Sequence, residues 1–377
     1  MTNHLQQKLV ERSQAGTKRE LKTNDRLVDF VSNDYLGLAR SVELFEKIKA
    51  YDYSKIVNKN GSSGSRLLSG NSSAYEQLEK KLAEIFNAEA ALLFNSGYNA
   101  NLALVCSLPQ KGDTILYDSL SHVCLKEGAW LSRADSLAFE HNDLNDLERK
   151  LQTSSGTKYI VIESVYSMNG DIAPLEEITR LAKKYEAKLI VDEAHSTGVF
   201  GENGSGLVCE LGMEKDFEAR IYTFGKGMGV HGACVCGSQL LIDYLINFGR
   251  PFVYTTALPI HSIFSIDATF DYLGENIHLQ KTLKENIRFF NELYDEKIGR
   301  RDDILKPKSD TAIQPIIVPG SERVKLLASQ LQNEGFDVRP IVAPTVKSGQ
   351  ERLRISIHVH NTREDIEGLV SSLSNSL

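Results

Sequence analysis

Residues 158–196 read KYIVIESVYSMNGDIAPLEEITRLAKKYEAKLIVDEAHS. Two short apolar runs, residues 159–162 and 189–191, each end in a polar turn. Between them Leu175, Ile178, Leu181, Ala182 and Tyr185 recur at helical spacing and fall on one face. Strand, helix, strand is the βαβ alternation of a parallel sheet covered on both faces, whose strands read as continuous apolar runs rather than alternating ones. The expectation is an α/β fold.

The same pattern extends outward. AALLFNSG (90–97), DTILYDS (113–119) and ARIYTFGKG (219–227) are further apolar runs entering polar turns. Beyond about residue 290 the pattern changes. AIQPIIVPG, FDVRPIV and RLRISIHV read as strands around a helical stretch, SERVKLLASQLQNEG, and a last helix starts near Thr362 with Asp365 placed for a capping box. The expected organisation is a large domain over 41–285, a smaller α+β domain over 286–377, and an N-terminal segment, 1–40, packing with the small one.

The 377 residues are ordinary globular material, 41% hydrophobic and 25% charged. A net charge of −7 argues against a nucleic-acid partner, whose footprint is a basic patch. The polar N-terminus lacks a signal peptide's apolar core, and no run of about 18 apolar residues offers a membrane span. Five cysteines without a CxxC pair suggest neither a zinc site nor a dithiol. Cys234 and Cys236 alternate along a strand and read as small buried residues. Reduced thiols fit a cytoplasmic location.

In open α/β sheets, ligands bind beyond the carboxyl ends of the strands. The turn residues there are Ser96-Gly97-Tyr98, His122, Glu163 with Ser167, Asp192 with His195, and Lys226 between two glycines. Taken singly, each also fits a plain turn, cap or surface charge. Taken together, they are a phosphate seat at a helix start, an acid, histidines and an amine at one sheet edge. Pyridoxal phosphate (PLP) requires that set: a lysine for its aldehyde, a carboxylate beside its pyridine nitrogen and N–H donors for its phosphate.

The strings NDYLGLA, GSSGSRLLSG, FNSGYNAN, DSLSHVCLKEGAWLS, ESVYSMNGDIAPL, VDEAHSTGVFGENGSG, TFGKGMGVHGA and YTTALP carry a resemblance. They are similar, in order and from about residue 30 to about 360, to the α-oxoamine synthases. These fold-type I PLP enzymes condense an amino acid with an acyl thioester and lose CO2. TFGKGMGVHGA and YTTALP most resemble members that join L-alanine to a pimeloyl thioester in biotin synthesis. The resemblance implies that Lys226 holds PLP and moves protons. It implies that Asp192 pairs with the pyridine nitrogen, His195 bonds the ring hydroxyl and His122 stacks on the ring. It places Gly97, Tyr98, Ser167 and Thr223 around the cofactor, and Thr255 or Thr256 at the phosphate of a neighbouring subunit in a homodimer. Arg354 matches the arginine that grips the amino acid carboxylate. Asn33 and Thr345 match substrate-side positions, and Arg19 is assigned the thioester's anionic end.

The resemblance leaves the thioester carrier open, coenzyme A or an acyl carrier protein. It also leaves open the siblings that use glycine or serine: glycine C-acetyltransferase, 5-aminolevulinate synthase and serine palmitoyltransferase. Two positions depart from the pattern. Tyr75 stands where many relatives have histidine. Val342 stands where some have arginine, with Arg339 three residues earlier. VDEAH also spells the motif of DEAH-type nucleotide hydrolases, but the Gly225-Lys226 pair lies downstream of it and is followed by glycine, which is not a phosphate-cradling GxxxxGK[ST] loop.

Overall fold

The computed structural model describes every residue except Met1, Lys22, Asn24, Asp25 and Lys55. The chain divides into two compact units. The larger comprises residues 33–167 and 171–281, and the smaller residues 1–32, 168–170 and 282–377. The string NDYLGLA thus begins the larger unit.

The larger unit is built on a seven-stranded sheet. Its strands are β1 (Ala90–Phe94), β2 (Thr114–Asp118), β3 (Asp135–Phe139), β4 (Lys158–Glu163), β5 (Lys188–Asp192), β6 (Ala219–Thr223) and β7 (Ala233–Gly237). Their order across the sheet is β1-β7-β6-β5-β4-β2-β3. All neighbours are parallel except β7, which runs antiparallel to β1 and to β6. The mainly parallel α/β sheet is the one the apolar runs imply. β3 has four exposed residues of five, as an edge strand can, and so lacks the apolar run that marks the others.

The helix Leu175–Lys184 follows the expected period, with Leu175, Ile178 and Ala182 buried. Glu176 and Glu177 open it and Lys183 and Lys184 close it, which suits the helix dipole. Tyr185, expected on the apolar face, is half-buried. Its hydroxyl donates to Glu148 Oε1 at 2.9 Å, because a phenol retains a polar tip that needs a partner. Cys234 and Cys236 are buried on one face of β7, with their sulfurs 3.8 Å apart.

In the smaller unit, Ile313–Ile317, Pro340–Ile341 and Arg352–Ser356 form an antiparallel sheet. FDVRPIV is not one strand. Phe336–Asp337 pairs in parallel with Val28–Asp29, while Pro340–Ile341 joins the other sheet. A proline that donates no hydrogen bond and restricts the residue before it favours this break. The last helix, Arg363–Ser376, carries the expected capping box. Thr362 Oγ1 accepts from the Asp365 N–H at 3.1 Å, and Asp365 Oδ2 accepts from the Thr362 N–H at 2.9 Å.

Candidate active site

Three adjacent parallel strands, β4, β5 and β6, deliver side chains to the same edge of the large sheet. β5 ends on Asp192 and its neighbour β4 on Glu163, directly paired in register. β6 ends on Thr223 and then turns back into β7 through residues 224–232, the loop that carries Lys226. Beyond β1, Ser96 caps the helix Gly97–Ser107, its hydroxyl accepting from the Asn99 N–H at 3.2 Å. These elements enclose a cavity of about 230 Å³. Gly97, Tyr98, His122, Asp192, Thr223 and Lys226 all line it, together with Asn101, Cys124, Glu163 and His231.

Close backbone approaches, made possible by missing side chains, hold these loops together. A Cβ on Gly97 would stand 2.3 Å from Thr223 Cγ2. A Cβ on Gly229, whose φ is +67°, would stand 2.3 Å from the Ala39 nitrogen, so the lysine loop seats directly on NDYLGLA. Gly227 likewise lies against the Thr197 carbonyl.

Asp192 is buried and both its oxygens are occupied. Oδ2 accepts from Asn101 Nδ2 at 2.7 Å and Oδ1 from the Ala194 N–H at 2.9 Å. Asn101 stands one helical turn beyond Gly97, so the helix that opens the phosphate seat also aims the acid. His195 is buried, with Nε2 2.9 Å from Lys226 Nζ and Nδ1 2.7 Å from the Tyr35 hydroxyl. Lys226, read from sequence as a buried amine, is half-buried.

His122 stands at the mouth of the cavity, exposed, and caps the helix Val123–Leu131. Its Nδ1 is 3.3 Å from the Cys124 nitrogen and 2.9 Å from the Cys124 sulfur. Desolvation by the pocket wall, and then the Lys226 charge, lower its pKa. The His122 N–H donates to Glu163 Oε1. Glu163 is 2% exposed, and its pKa is pushed up to about 8, first by burial and then by the Asp192 carboxylate.

The remaining expected residues lie elsewhere. Ser167 is buried at the end of the segment after β4 and does not line the cavity. Thr255 accepts from Asn95 Nδ2 at 3.0 Å, and Thr256 is exposed. Tyr75 donates to the Leu258 carbonyl at 2.7 Å beneath the Arg66 guanidinium. Asn33 belongs to the larger unit and accepts from the Tyr35 hydroxyl. Arg19, Thr345 and Arg354 belong to the smaller unit. There Arg19 Nη2 is 3.4 Å from Thr345 Oγ1, and Arg354 Nη1 is 3.1 Å from Ser356 Oγ. Arg339, the neighbour of Val342, forks onto Asp337. Asn101, Cys124 and Tyr35 were not among the expected site residues, and Glu163, noted among the turn residues at this edge, was given no role. Glu163 carried a signal, since it ends an apolar run, whereas Asn101 and Cys124 sit inside helical stretches with no mark of their own.

The family model described as aminotransferase class I and II matches residues 25–373. The chain belongs to this family. A putative 8-amino-7-oxononanoate synthase of Bacillus licheniformis is 38% identical over 369 residues, covering 97% of this chain and 95% of that protein. Among solved structures, serine palmitoyltransferase of Sphingomonas wittichii superposes with a TM-score of 0.86 at 28% identity, covering 93% of this chain and 87% of that one. The 8-amino-7-oxononanoate synthase of Francisella tularensis gives 0.79 at 30% identity, covering 93% and 98%. With these neighbours this family member has the fold of the type I PLP transferases. Among the described residues, none of its helices is long and apolar enough to cross a membrane.

Proposed function

We propose that this chain is a PLP-dependent acyltransferase that condenses L-alanine with a pimeloyl thioester, yielding 8-amino-7-oxononanoate, CO2 and the free thiol. One observation carries the reading. The Lys226 amine, the Asp192 carboxylate and the His122 imidazole line a single cavity that also borders the N-terminus of an 11-residue helix. This donor set fits the cofactor. Lys226 is the amine for its aldehyde, Asp192 the acid for its pyridine nitrogen, and the Ser96–Tyr98 turn the seat for its phosphate. When bound, the cofactor supplies an electron sink for the carbanion at the amino acid's α-carbon.

The chain's own residues do the rest. Asn101 and the Ala194 N–H hold the Asp192 carboxylate in place. Lys226 takes the α-proton and returns one after CO2 has left. His122 covers one face of the site and orients the acyl donor, while Ser167 and Thr223 donate hydrogen bonds. Arg354 grips the amino acid carboxylate, with Asn33 and Thr345 on the substrate side and Arg19 at the anionic end of the thioester. Thr256, exposed in the single chain, serves the phosphate of a neighbouring subunit in a cytoplasmic homodimer. Coenzyme A or an acyl carrier protein carries the thioester.

A second reading has a specific observation behind it. The serine palmitoyltransferase of S. wittichii superposes more closely than the F. tularensis synthase. The stronger sequence likeness is nevertheless to the synthases. The test is the visible absorbance of the purified protein with PLP, titrated separately with L-alanine, glycine and L-serine. Perturbation by alanine at the lowest concentration supports the synthase; precedence of serine or glycine moves the assignment to that sibling. A wild-type protein with no band, even with added PLP, rejects the cofactor. Lys226→Ala should lose the band and lower kcat by roughly a thousandfold or more.

A further inference from the structure

The segment YTTALP (254–259) lies between the helices Arg250–Val253 and Ile260–Glu275 and belongs to neither, so its shape is set by what it touches. Residues 61–75 grip it. The Ala257 N–H donates to the Gly64 carbonyl at 3.0 Å. The Leu258 carbonyl accepts from the Tyr75 hydroxyl at 2.7 Å and from the Ser62 hydroxyl, which uses both of its lone pairs. Gly70 makes room for this approach, since a Cβ there would stand 2.7 Å from Ala257 Cβ. At the start of the segment, Thr255 Oγ1 accepts from Asn95 Nδ2 at 3.0 Å, and Asn95 Oδ1 accepts from Asn99 Nδ2 at 2.6 Å. Thr255 is thus tied inward, to the helix that opens its own chain's phosphate seat, while Thr256 is exposed.

Tyr75 is itself held. It is 3% exposed, in the first turn of the helix Ser73–Ile85, and the Arg66 guanidinium lies over its ring at 3.9 Å from the centroid. Arg66 forks onto Glu79 at 2.8 and 3.0 Å, and Glu79 Oε1 also accepts the Leu93 N–H of β1 at 2.8 Å. Sheet, carboxylate, guanidinium and phenol form one continuous brace that ends on the Leu258 carbonyl. Burial pushes the Tyr75 pKa up to about 12, so the phenol remains a donor throughout the neutral range. We infer that Tyr75 is a positioning residue that fixes the backbone of 255–258 and so presents Thr256 to the cofactor phosphate of the neighbouring subunit, a role that rests on the reading of shared PLP sites. The position at which many relatives have histidine thereby has a defined task in this chain.

The experiment compares PLP with pyridoxal, which offers Lys226 the same aldehyde but has no phosphate. Each is titrated into the cofactor-free protein and read from the visible band. Tyr75→Phe keeps the ring beneath Arg66 and removes only the hydroxyl, and its denaturant midpoint reports the fold. It should bind PLP about fivefold more weakly and pyridoxal as the wild type does. Ser62→Ala removes the other donor to the same carbonyl and should behave likewise. No loss in either variant, or an equal loss for both ligands, overturns the inference. Heterodimers purified through two different tags add the direction across the dimer. One chain carries Lys226 and the other Lys226→Ala, so only the first gives the band. Tyr75→Phe on the Lys226→Ala chain should weaken the partner's hold on PLP, and on the Lys226 chain it should not; any other pattern overturns the inference. Thr256→Val separates the two levels. If it shows no phosphate-specific loss, the shared contact is rejected and the role of Tyr75 falls with it. If it shows that loss and Tyr75→Phe does not, the positioning role alone is rejected. A wild type with no band for either ligand rejects the PLP reading and everything that rests on it.

Discussion

Gly97 and Asp192 show how single residues define this site. Gly97 looks like a residue kept for the phosphate, but its nearest constraint is Thr223, whose methyl occupies the space a Cβ would need. Gly97→Ala should therefore push the helix start away from β6. Cofactor affinity, measured by fluorescence titration, should fall by roughly tenfold, the cost of modest overpacking. Asp192 depends on Asn101 in the same way. Asn101→Leu removes one of the two donors that hold the carboxylate and should weaken the cofactor's hold without removing any group that touches the reacting carbon.

Loops and helix ends can be tested separately from the chemistry. Gly229 combines a positive φ with a backbone neighbour, so Gly229→Ala is strained both by its conformation and by the Ala39 nitrogen. It should destabilise the fold by roughly 2 kcal/mol or more and loosen the lysine loop, read as a lower denaturant midpoint together with a weaker visible band. At the other end of the chain, Thr362→Ala breaks the capping box of Arg363–Ser376 and should cost about 1 kcal/mol with the cofactor site unaffected.

For the molecule as a whole, pH and assembly are the informative variables. His141 sits between Asp118, 2.9 Å from Nδ1, and Asp171, 2.5 Å from Nε2. Burial opposes its charge, but the two hydrogen-bonded carboxylates outweigh burial and raise its pKa to about 9. A raised histidine contributes stability fully below its unfolded value of about 6.5, and loses it as pH rises toward the folded value. The contribution, reduced for partial solvent contact, is on the order of 2 kcal/mol. Thermal unfolding should show the wild type losing stability from pH 6.5 to 9 more steeply than His141→Gln. If sites are shared across a dimer, Lys226→Ala and Thr256→Val chains, each impaired alone, should recover activity when unfolded and refolded together. No recovery from a mixture that forms dimers would place each site within one chain.

The apolar runs of 90–94, 114–118, 158–163, 188–192 and 219–223 announced their strands, because strands buried on both faces must be apolar throughout. The polar residues just after them named Lys226, Asp192, His195 and His122 as one edge. The sequence by itself therefore determined most of the sheet, the cofactor chemistry and the family. It was silent where contact is made across long separations. Asn101 on Asp192, Tyr35 on His195, and Gly229 on Ala39 join residues far apart in the chain, with no periodicity to mark them. β3 was hidden because an edge strand need not be apolar, and FDVRPIV divided because its two halves pair with different neighbours. Burial patterns act locally and leave a trace along the chain. The orientation of an acid or the partner of a histidine depends on which groups meet in space, and only the tertiary structure decided that.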